Sequence, residues 1–310
     1  MTSKTTSPGI LVTGATGRHG GTGAHVVRAL RAAGRPVRIL ARRKSPRTEA
    51  LEALGAEIAL GDLHDRASLV RALEGIGTAT FTYPIGAGVV EAAATFAAAA
   101  HTHEAPLRVV VNSMGPAHPE SPSHLGRAQW LAEEVLGWAG LDLCVLRITA
   151  LFFENIPTLH GSTIRREGVI RNCFGSVDAP WISGLDAAHL VVAAVLHPDR
   201  FAGSKVHHPP GAEHLSHAAI AEILTRELSR PVRFEPISQD AWIRELSDLA
   251  ARDPDGPVNP DMARHIAAVG AAIATRGPTR RPDAAALRGL TGSEPLSFEA
   301  FVRQGRDLFA

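Results

Sequence analysis

Two cysteines, one tyrosine and three lysines (Lys4, Lys44 and Lys205) are all that this chain of 310 residues contains of those types. Cys144 and Cys173 cannot build a disulfide framework or a multi-cysteine zinc site. So sparse a cysteine usage leads us to expect a reducing, cytoplasmic setting. No stretch reaches the roughly 18 uninterrupted apolar residues of a membrane span, and MTSKTTSPG offers no apolar core of a secretion signal. Neither sign of charge is in excess: 32 basic and 31 acidic residues leave +1. That excludes a broad cationic surface for nucleic acid or anionic lipid. A catalytic Tyr-x-x-x-Lys pair is also excluded, because Tyr83 is the only tyrosine and position 87 is Ala87. With 45% hydrophobic residues the chain is nonetheless long and apolar enough to bury a sizeable core.

What is present is an alternation of strand and helix signals. GILVT, from Gly9 to Thr13, is a short β-rich run that ends in the glycine cluster of 14–21. Val26, Val27, Ala29 and Leu30 come next at helical spacing, and Gly34 stops that helix. Further strands are predicted at 37–41, 57–60, 78–83, 107–111 and 143–148, separated by helices at 48–54, 67–73, 89–100 and 129–138. Parallel neighbours need helical crossovers, so the alternation predicts an α/β fold with a doubly wound parallel sheet.

Beyond Leu151 the pattern loosens into short strands at 169–174, 205–208 and 232–235, and helices at 185–196, 217–228 and 298–309. The expected organisation is a dinucleotide-binding domain over 1–150 and a smaller mixed α/β region over 151–310, some of whose segments return to the first sheet. His207, His208, His214 and His217 read as a solvated loop rather than a metal site, since Pro209, Pro210 and Gly211 interrupt them and no cysteine is near. No metal is expected.

Gly14, Gly17 and Gly20 form G-x-x-G-x-x-G at the first strand-to-helix junction. Such glycines permit a tight turn, let backbone approach a pyrophosphate and allow close packing of helix on strand. The helix start beyond them offers free N–H groups to phosphates. At the end of the second strand, where an NAD site usually has a carboxylate, stand Arg42, Arg43 and Lys44. Cations attract a 2′-phosphate and cannot accept hydrogen bonds from a ribose diol, so the indicated cofactor is NADP(H).

The segments VTGATGRHG, ARRK, GDLHDRASLVRAL, VVVNSMG, QWLAEEVLGWAGLDLCVLRITALFFENI and LTGSEPLSFEAFVRQGRDLF together resemble the NmrA-like group of atypical short-chain dehydrogenases/reductases over nearly the whole chain. The GATG turn is widely shared, whereas LR followed by FFEN is more characteristic. The resemblance implies a Rossmann sheet carrying NADP(H), with a smaller C-terminal region over the cleft. It places Gly14, Thr16, Gly17, Arg18, His19 and Gly20 at the phosphates and Asp62 and Leu63 beside the adenine. Tyr83 and Pro84 would follow strand four beside the cofactor, and Asn112 and Ser113 would end strand five. Phe152, Phe153, Glu154 and Asn155 would border the nicotinamide.

Reductase-like members often carry a lysine just before Trp-x-x-Glu, and here that place is Gln129. The tyrosine or histidine expected four residues earlier falls on Leu125, next to His124. Glutamine can hydrogen-bond the nicotinamide ribose but brings no charge. His124 is then the first candidate proton donor, with Ser113 and Tyr83 as alternatives. Phe152, Phe153 and Trp181 suggest an apolar wall, and Asn155 a group that orients a substrate carbonyl or caps the next segment. Cys144, Cys173 and Asp186 read as structural.

The expected activity is NADPH-dependent hydride transfer to a small, largely apolar carbonyl, quinone, imine or enone. The missing lysine keeps two alternatives open: a non-catalytic NADP(H) sensor that regulates a protein partner, and a redox-neutral enzyme using the same cleft.

Overall fold

The computed structural model describes residues 8–17, 21–103 and 105–309. The first half alternates strictly. β1 (Gly9–Val12) leads to α1 (Thr22–Ala32), β2 (Val37–Ala41) to α2 (Pro46–Glu52), and β3 (Glu57–Leu60) to α3 (Arg66–Leu73). β4 (Ile76–Phe81) then leads to α4 (Val89–Ala100), β5 (Arg108–Met114) to α5 (His124–Trp138), and β6 (Asp142–Ile148) closes the series. α5 starts five residues before the expected 129 because Ser123 caps it, accepting from the Gly126 amide.

The second half supplies β7 (Leu151–Phe152), α6 (Asn155–Glu167), β8 (Val169–Asn172), β9 (Ala179–Ile182) and α7 (Gly184–Leu196). After β10 (Val206–His207) and β11 (Glu213–Leu215) come α8 (His217–Leu228), β12 (Arg233–Pro236), α9 (Gln239–Arg252) and α10 (Pro260–Arg276). α11 (Ala284–Thr291) and α12 (Phe298–Gln304) complete the order.

Seven parallel strands lie in the order β10-β6-β5-β4-β1-β2-β3. Winding reverses between β1 and β4, which makes that junction the switch point. Alternate side chains of each strand feed opposite layers. Ile10 and Val12 join Val26, Val27 and Leu30 of α1 on one face, while Leu11 joins Leu69, Phe96 and Leu136 on the other. β10 and α7 come from beyond residue 151 yet complete this body: β10 pairs with β6, and α7 buries Ala187, Leu190 and Val191 against the first face.

Two small sheets, β11-β9-β7 and β12-β8, carry α6, α8, α9, α10 and α12, whereas α11 packs on α7 with Leu287 in the core of the main sheet's first face. Their cores are separate from the main sheet. Phe153 meets Phe298 edge-on at 5.3 Å in one, and Trp242, Phe174 and Met262 fill the other.

α1 lies tight on the turn after β1 because residue 23 has no side chain. A Cβ there would collide with the Gly14 carbonyl oxygen and stand 2.8 Å from Ala15 Cα, both backbone atoms that cannot yield cheaply. Gly23→Ala is therefore expected to lower unfolding free energy by about 1–3 kcal/mol in urea titrations. Gly289→Ala, in open space on α11, should be neutral or stabilising by up to about 1 kcal/mol; equal effects would contradict this packing.

Candidate functional site

The parallel sense brings the carboxyl ends of β1 to β6 to one edge, and most of the singled-out residues collect there. Gly14 has φ +70°, and a Cβ on it would meet the Thr82 side chain at 3.0 Å. Thr13 Oγ1 fastens the same junction, donating to the Thr80 carbonyl (3.0 Å) and accepting from the Thr82 amide (2.8 Å). Gly17 closes the turn, its amide donating to the Gly14 carbonyl at 3.0 Å. Arg47 reaches back from α2 to the Thr16 carbonyl at 3.1 Å. Arg18, His19 and Gly20 lie outside the described residues. The N-cap of α1 is Gly21, which supplies no side-chain cap, so among the described residues no N-cap side chain accepts from the first helical amides.

Next along the edge, Arg42, Arg43 and Lys44 follow β2 and are all exposed. Arg38, inside the strand, is by contrast committed to Glu57 at 2.9 Å. Beyond β3, Asp62 accepts from the His64 amide (3.0 Å) and Leu63 is buried. Glycine turn, uncapped helix start and cation cluster are the residue types a dinucleotide phosphate requires, and their placement fits that group.

Tyr83 stands two residues past β4. Its hydroxyl donates to the Ala87 carbonyl (3.0 Å) and lies 2.9 Å from His64 Nε2. Partial burial, then the Asp62 and Glu91 carboxylates, push the phenol above its ordinary 10, with nearby Arg42 opposing. Pro84 is exposed beside it. The loop is pinned from outside: Asn259 donates to the Ile85 carbonyl (2.8 Å), and Asp261 accepts from the Ala87 amide (3.1 Å).

Asn112 and Ser113 do end β5, with Asn112 half-buried. Ser113, expected as a proton donor, is instead committed elsewhere. Its buried hydroxyl donates to Glu133, the glutamate of the Trp-x-x-Glu segment on α5. The other Glu133 oxygen receives Arg147 Nε at 2.8 Å, and Arg147 is the register partner of Ser113 across β5 and β6. Burial raises the Glu133 carboxyl above its usual range, against the pull of Arg147 and Ser113. Gln129 is buried one helical turn before Glu133.

His124 is the first residue of α5 and is exposed, with Nε2 3.7 Å from Asp261 on α10. It therefore stands where α5, α10 and the Tyr83 loop meet. Of the expected substrate wall, Phe152 is half-buried, and Asn155 is buried beside a gap with room for about one water. Trp181 is a correction: it is buried in the core with its Nε1 donating to the Leu215 carbonyl at 2.9 Å. Phe153 is a correction: its ring is wholly buried against Phe298 and Phe301, in the core rather than on a pocket wall. The histidine stretch needs one too. His217 is buried among Phe174, Trp181 and Phe234 rather than solvated, although His214 is exposed. Cys144 and Cys173 are buried, and desolvation pushes both thiols up to about 11. Ser183 caps α7, accepting from the Asp186 amide (2.9 Å) and donating to the Asp186 carboxylate (2.7 Å), which also accepts from the Leu296 amide at 3.0 Å.

Glu154, which only the family resemblance sets beside the cofactor, has a structural role that no local signal announces. Its carboxylate takes the Gly184 amide at the start of α7 on both oxygens (2.9 and 3.1 Å). It thereby ties the β7 turn to a helix of the main sheet. Trp242, Phe174 and His160 are likewise missed by sequence reasoning, for helical spacing marks an apolar face without saying which cavity it walls.

Fold and edge together are those of a Rossmann-like α/β protein. More narrowly, the chain belongs to the NmrA-like family, whose model matches residues 6–252. It is 30% identical over 229 residues to an NAD(P)H azoreductase of Xenophilus azovorans, covering 74% of this chain and 77% of that protein. It is 31% identical over 234 residues to the (4-alkanoyl-5-oxo-2,5-dihydrofuran-3-yl)methyl phosphate reductase of Streptomyces griseus subsp. griseus, with 75% and 78% covered. Among solved structures, an NADPH-dependent quinone oxidoreductase of Escherichia coli complexed with NADPH shares the fold. Its TM-score is 0.77 at 20% identity, over 95% of this chain and 99% of that one.

Burial lifts the Glu154 carboxyl from 4.5 to about 7, with Asp186 adding to the rise and the amide bonds opposing it. A folded-state pKa above the unfolded value means that the folded form holds the extra proton between those values, so stability is lost as pH rises from about 4.5 through 7. Glu154→Gln keeps an acceptor for Gly184 without the charge. Its urea midpoint should change less than wild type between pH 5 and pH 8, a difference of at most about 2–3 kcal/mol; parallel pH profiles would refute the assignment.

Proposed function

We propose that this protein is an NADPH-dependent reductase of a small, largely apolar carbonyl, quinone, imine or enone. The observation that carries the cofactor half is the exposed Arg42–Arg43–Lys44 cluster at the end of β2, beside the uncapped start of α1. The named reductase activities of the two curated relatives support the reaction class. NADPH supplies the hydride when bound.

The chain's own residues have three tasks. Gly14, Thr16, Gly17 and the amides of α1 hold the pyrophosphate, while Arg42, Arg43 and Lys44 hold the 2′-phosphate. Asp62 and Leu63 border the adenine, and Tyr83, Pro84, Asn112, Ser113 and Gln129 frame the nicotinamide half. Gln129 lies on the helix that also carries Glu133, whose pairing with Ser113 and Arg147 fixes that helix against β5 and β6.

Reducing a carbonyl or imine also requires a proton on the heteroatom. His124 is exposed at the junction of α5 and α10 with Asp261 to orient it, so it is the first residue assigned that role. Tyr83 is the second, though its proton already has the Ala87 carbonyl as acceptor.

Fluorescence titration tests the cofactor. Replacing Arg42 and Arg43 by alanine should weaken NADPH binding by about 10- to 100-fold and NADH binding far less; equal losses would refute 2′-phosphate recognition. NADPH oxidation over a panel of quinones, enones and imines tests turnover. Tight NADPH binding with no substrate consumed would refute the reductase and favour the sensor. On a substrate that is turned over, His124→Ala should lower kcat about 10²-fold; an unchanged kcat would remove His124 from the chemistry.

A further inference from the structure

The glycine turn after β1 is longer than its motif requires. In a strand, turn and helix of this kind the third glycine lets the helix pack closely on the strand. Here Gly23 takes that place, nine residues after Gly14, because a Cβ on it would collide with the Gly14 carbonyl oxygen. α1 starts only at Thr22, behind a Gly21 that offers no side-chain cap. A long, glycine-rich turn has many conformations to lose when a pyrophosphate fixes it, so its affinity depends on what holds it beforehand.

One side chain from outside the turn does so. Arg47 Nη1 donates to the Thr16 carbonyl at 3.1 Å. The same peptide unit ends in the Gly17 amide, which donates to the Gly14 carbonyl at 3.0 Å. A peptide unit is planar, with its C=O and N–H pointing opposite ways. Bonds at both ends therefore fix the plane and the direction in which the chain leaves Gly17. The guanidinium also offsets the negative end of a carbonyl that stands beside the phosphate site.

Arg47 itself springs from a firm base. Ser45 and Thr48 cap the start of α2 reciprocally: the Ser45 amide donates to Thr48 Oγ1 (2.8 Å) and the Thr48 amide to Ser45 Oγ (3.3 Å). Thr48 is buried, and Pro46 opens the helix with a pre-set backbone. Arg42, Arg43 and Lys44, by contrast, are exposed and make no bond to the turn among the described residues. The run of cations thus divides into three that face solvent and one that is tied to the turn.

Resting on the NADP(H) reading, we infer that Arg47 is a positioning residue of the pyrophosphate turn and not a fourth member of the 2′-phosphate cluster. It holds the Thr16–Gly17 peptide in the cofactor-free protein, and so strengthens the grip on the part of the cofactor that NADPH and NADH share.

Titration of the full-length protein with each dinucleotide separates the two roles. Arg47→Gln should weaken NADPH and NADH alike, each by about 5- to 10-fold, whereas replacing Arg42 and Arg43 by alanine largely spares NADH. Arg47→Lys, which keeps a charge and a donor, should recover most of the loss. A loss confined to NADPH would move Arg47 into the 2′-phosphate cluster and overturn the inference. Unchanged affinities, or a loss that lysine leaves unrepaired, would overturn it too.

A second readout needs no cofactor. In the free protein the Gly17 amide should exchange its hydrogen about 3- to 10-fold faster in Arg47→Gln than in the wild type, followed by NMR, with the amides of β5 unaffected. Equal exchange at Gly17 would remove the tether. Failure of the wild type to bind either dinucleotide would sink the cofactor reading and this inference with it. A selective NADPH loss on replacing Arg42 and Arg43, with Arg47→Gln silent in both readouts, would sink the inference alone.

Discussion

Everything at the candidate site depends on the parallel sense of the seven strands. A parallel neighbour can be reached only by a crossover, so each strand of the series must be succeeded by a segment long enough to return across the sheet. The crossovers leave from one edge, and that edge collects the loops with the freedom to vary. Where winding reverses, between β1 and β4, the two outgoing loops diverge and leave a crevice. The bond from the Thr82 amide to Thr13 Oγ1 and the 3.0 Å approach of a Gly14 Cβ to Thr82 fix that crevice from both sides. A side chain at 14 would therefore disturb the switch point itself as well as a single turn.

The polar groups behind this edge serve assembly more than chemistry. Ser113, Glu133 and Arg147 join α5, β5 and β6 through a carboxylate whose proton affinity burial raises while Arg147 and Ser113 lower it. Such a network is stable only when each member is satisfied, so neither the hydroxyl nor the guanidinium is spare for a substrate. Glu154 performs a similar union one layer away, where its two bonds to the Gly184 amide join the β7 turn to α7. These groups are engaged in holding elements together, whereas His124 and Asp261 meet at the junction of α5 and α10 in partial contact with solvent.

Much of the Rossmann half is legible in the sequence because its signals are local. The runs at 37–41, 57–60 and 89–100 match β2, β3 and α4 to the residue. The periodic signal of α5 begins five residues late, because the prolines at 116, 119 and 122 look like one continuous loop and hide Ser123 as an N-cap. The short β7, β9 and β11 carry too few residues to show a period. Residues acting at a distance are harder still. Nothing in the sequence says that His217 will be buried by Phe174 and Trp181, or that a glutamate in FFEN will reach a helix start 30 residues on. The glycine turn and the ARRK cluster are readable because a phosphate site is built from contiguous backbone and charge. The packing around Trp242 is not, because it is assembled from α6, α8, α9 and the β8–β9 connection.

That difference in construction matches a difference in charge across the site. The β2 end presents three exposed cations to solvent, where a phosphate can arrive by long-range attraction and still be reached by counter-ions. The buried side chains packed around Asn155 carry no charge, because burial keeps His160 and His217 neutral. A charged group would be costly among those rings, whereas the cations of the rim stay hydrated. The near-zero net charge of the chain conceals this division, because acidic residues elsewhere, such as Glu227 and Glu299 around Arg303, offset the cations that the rim leaves free.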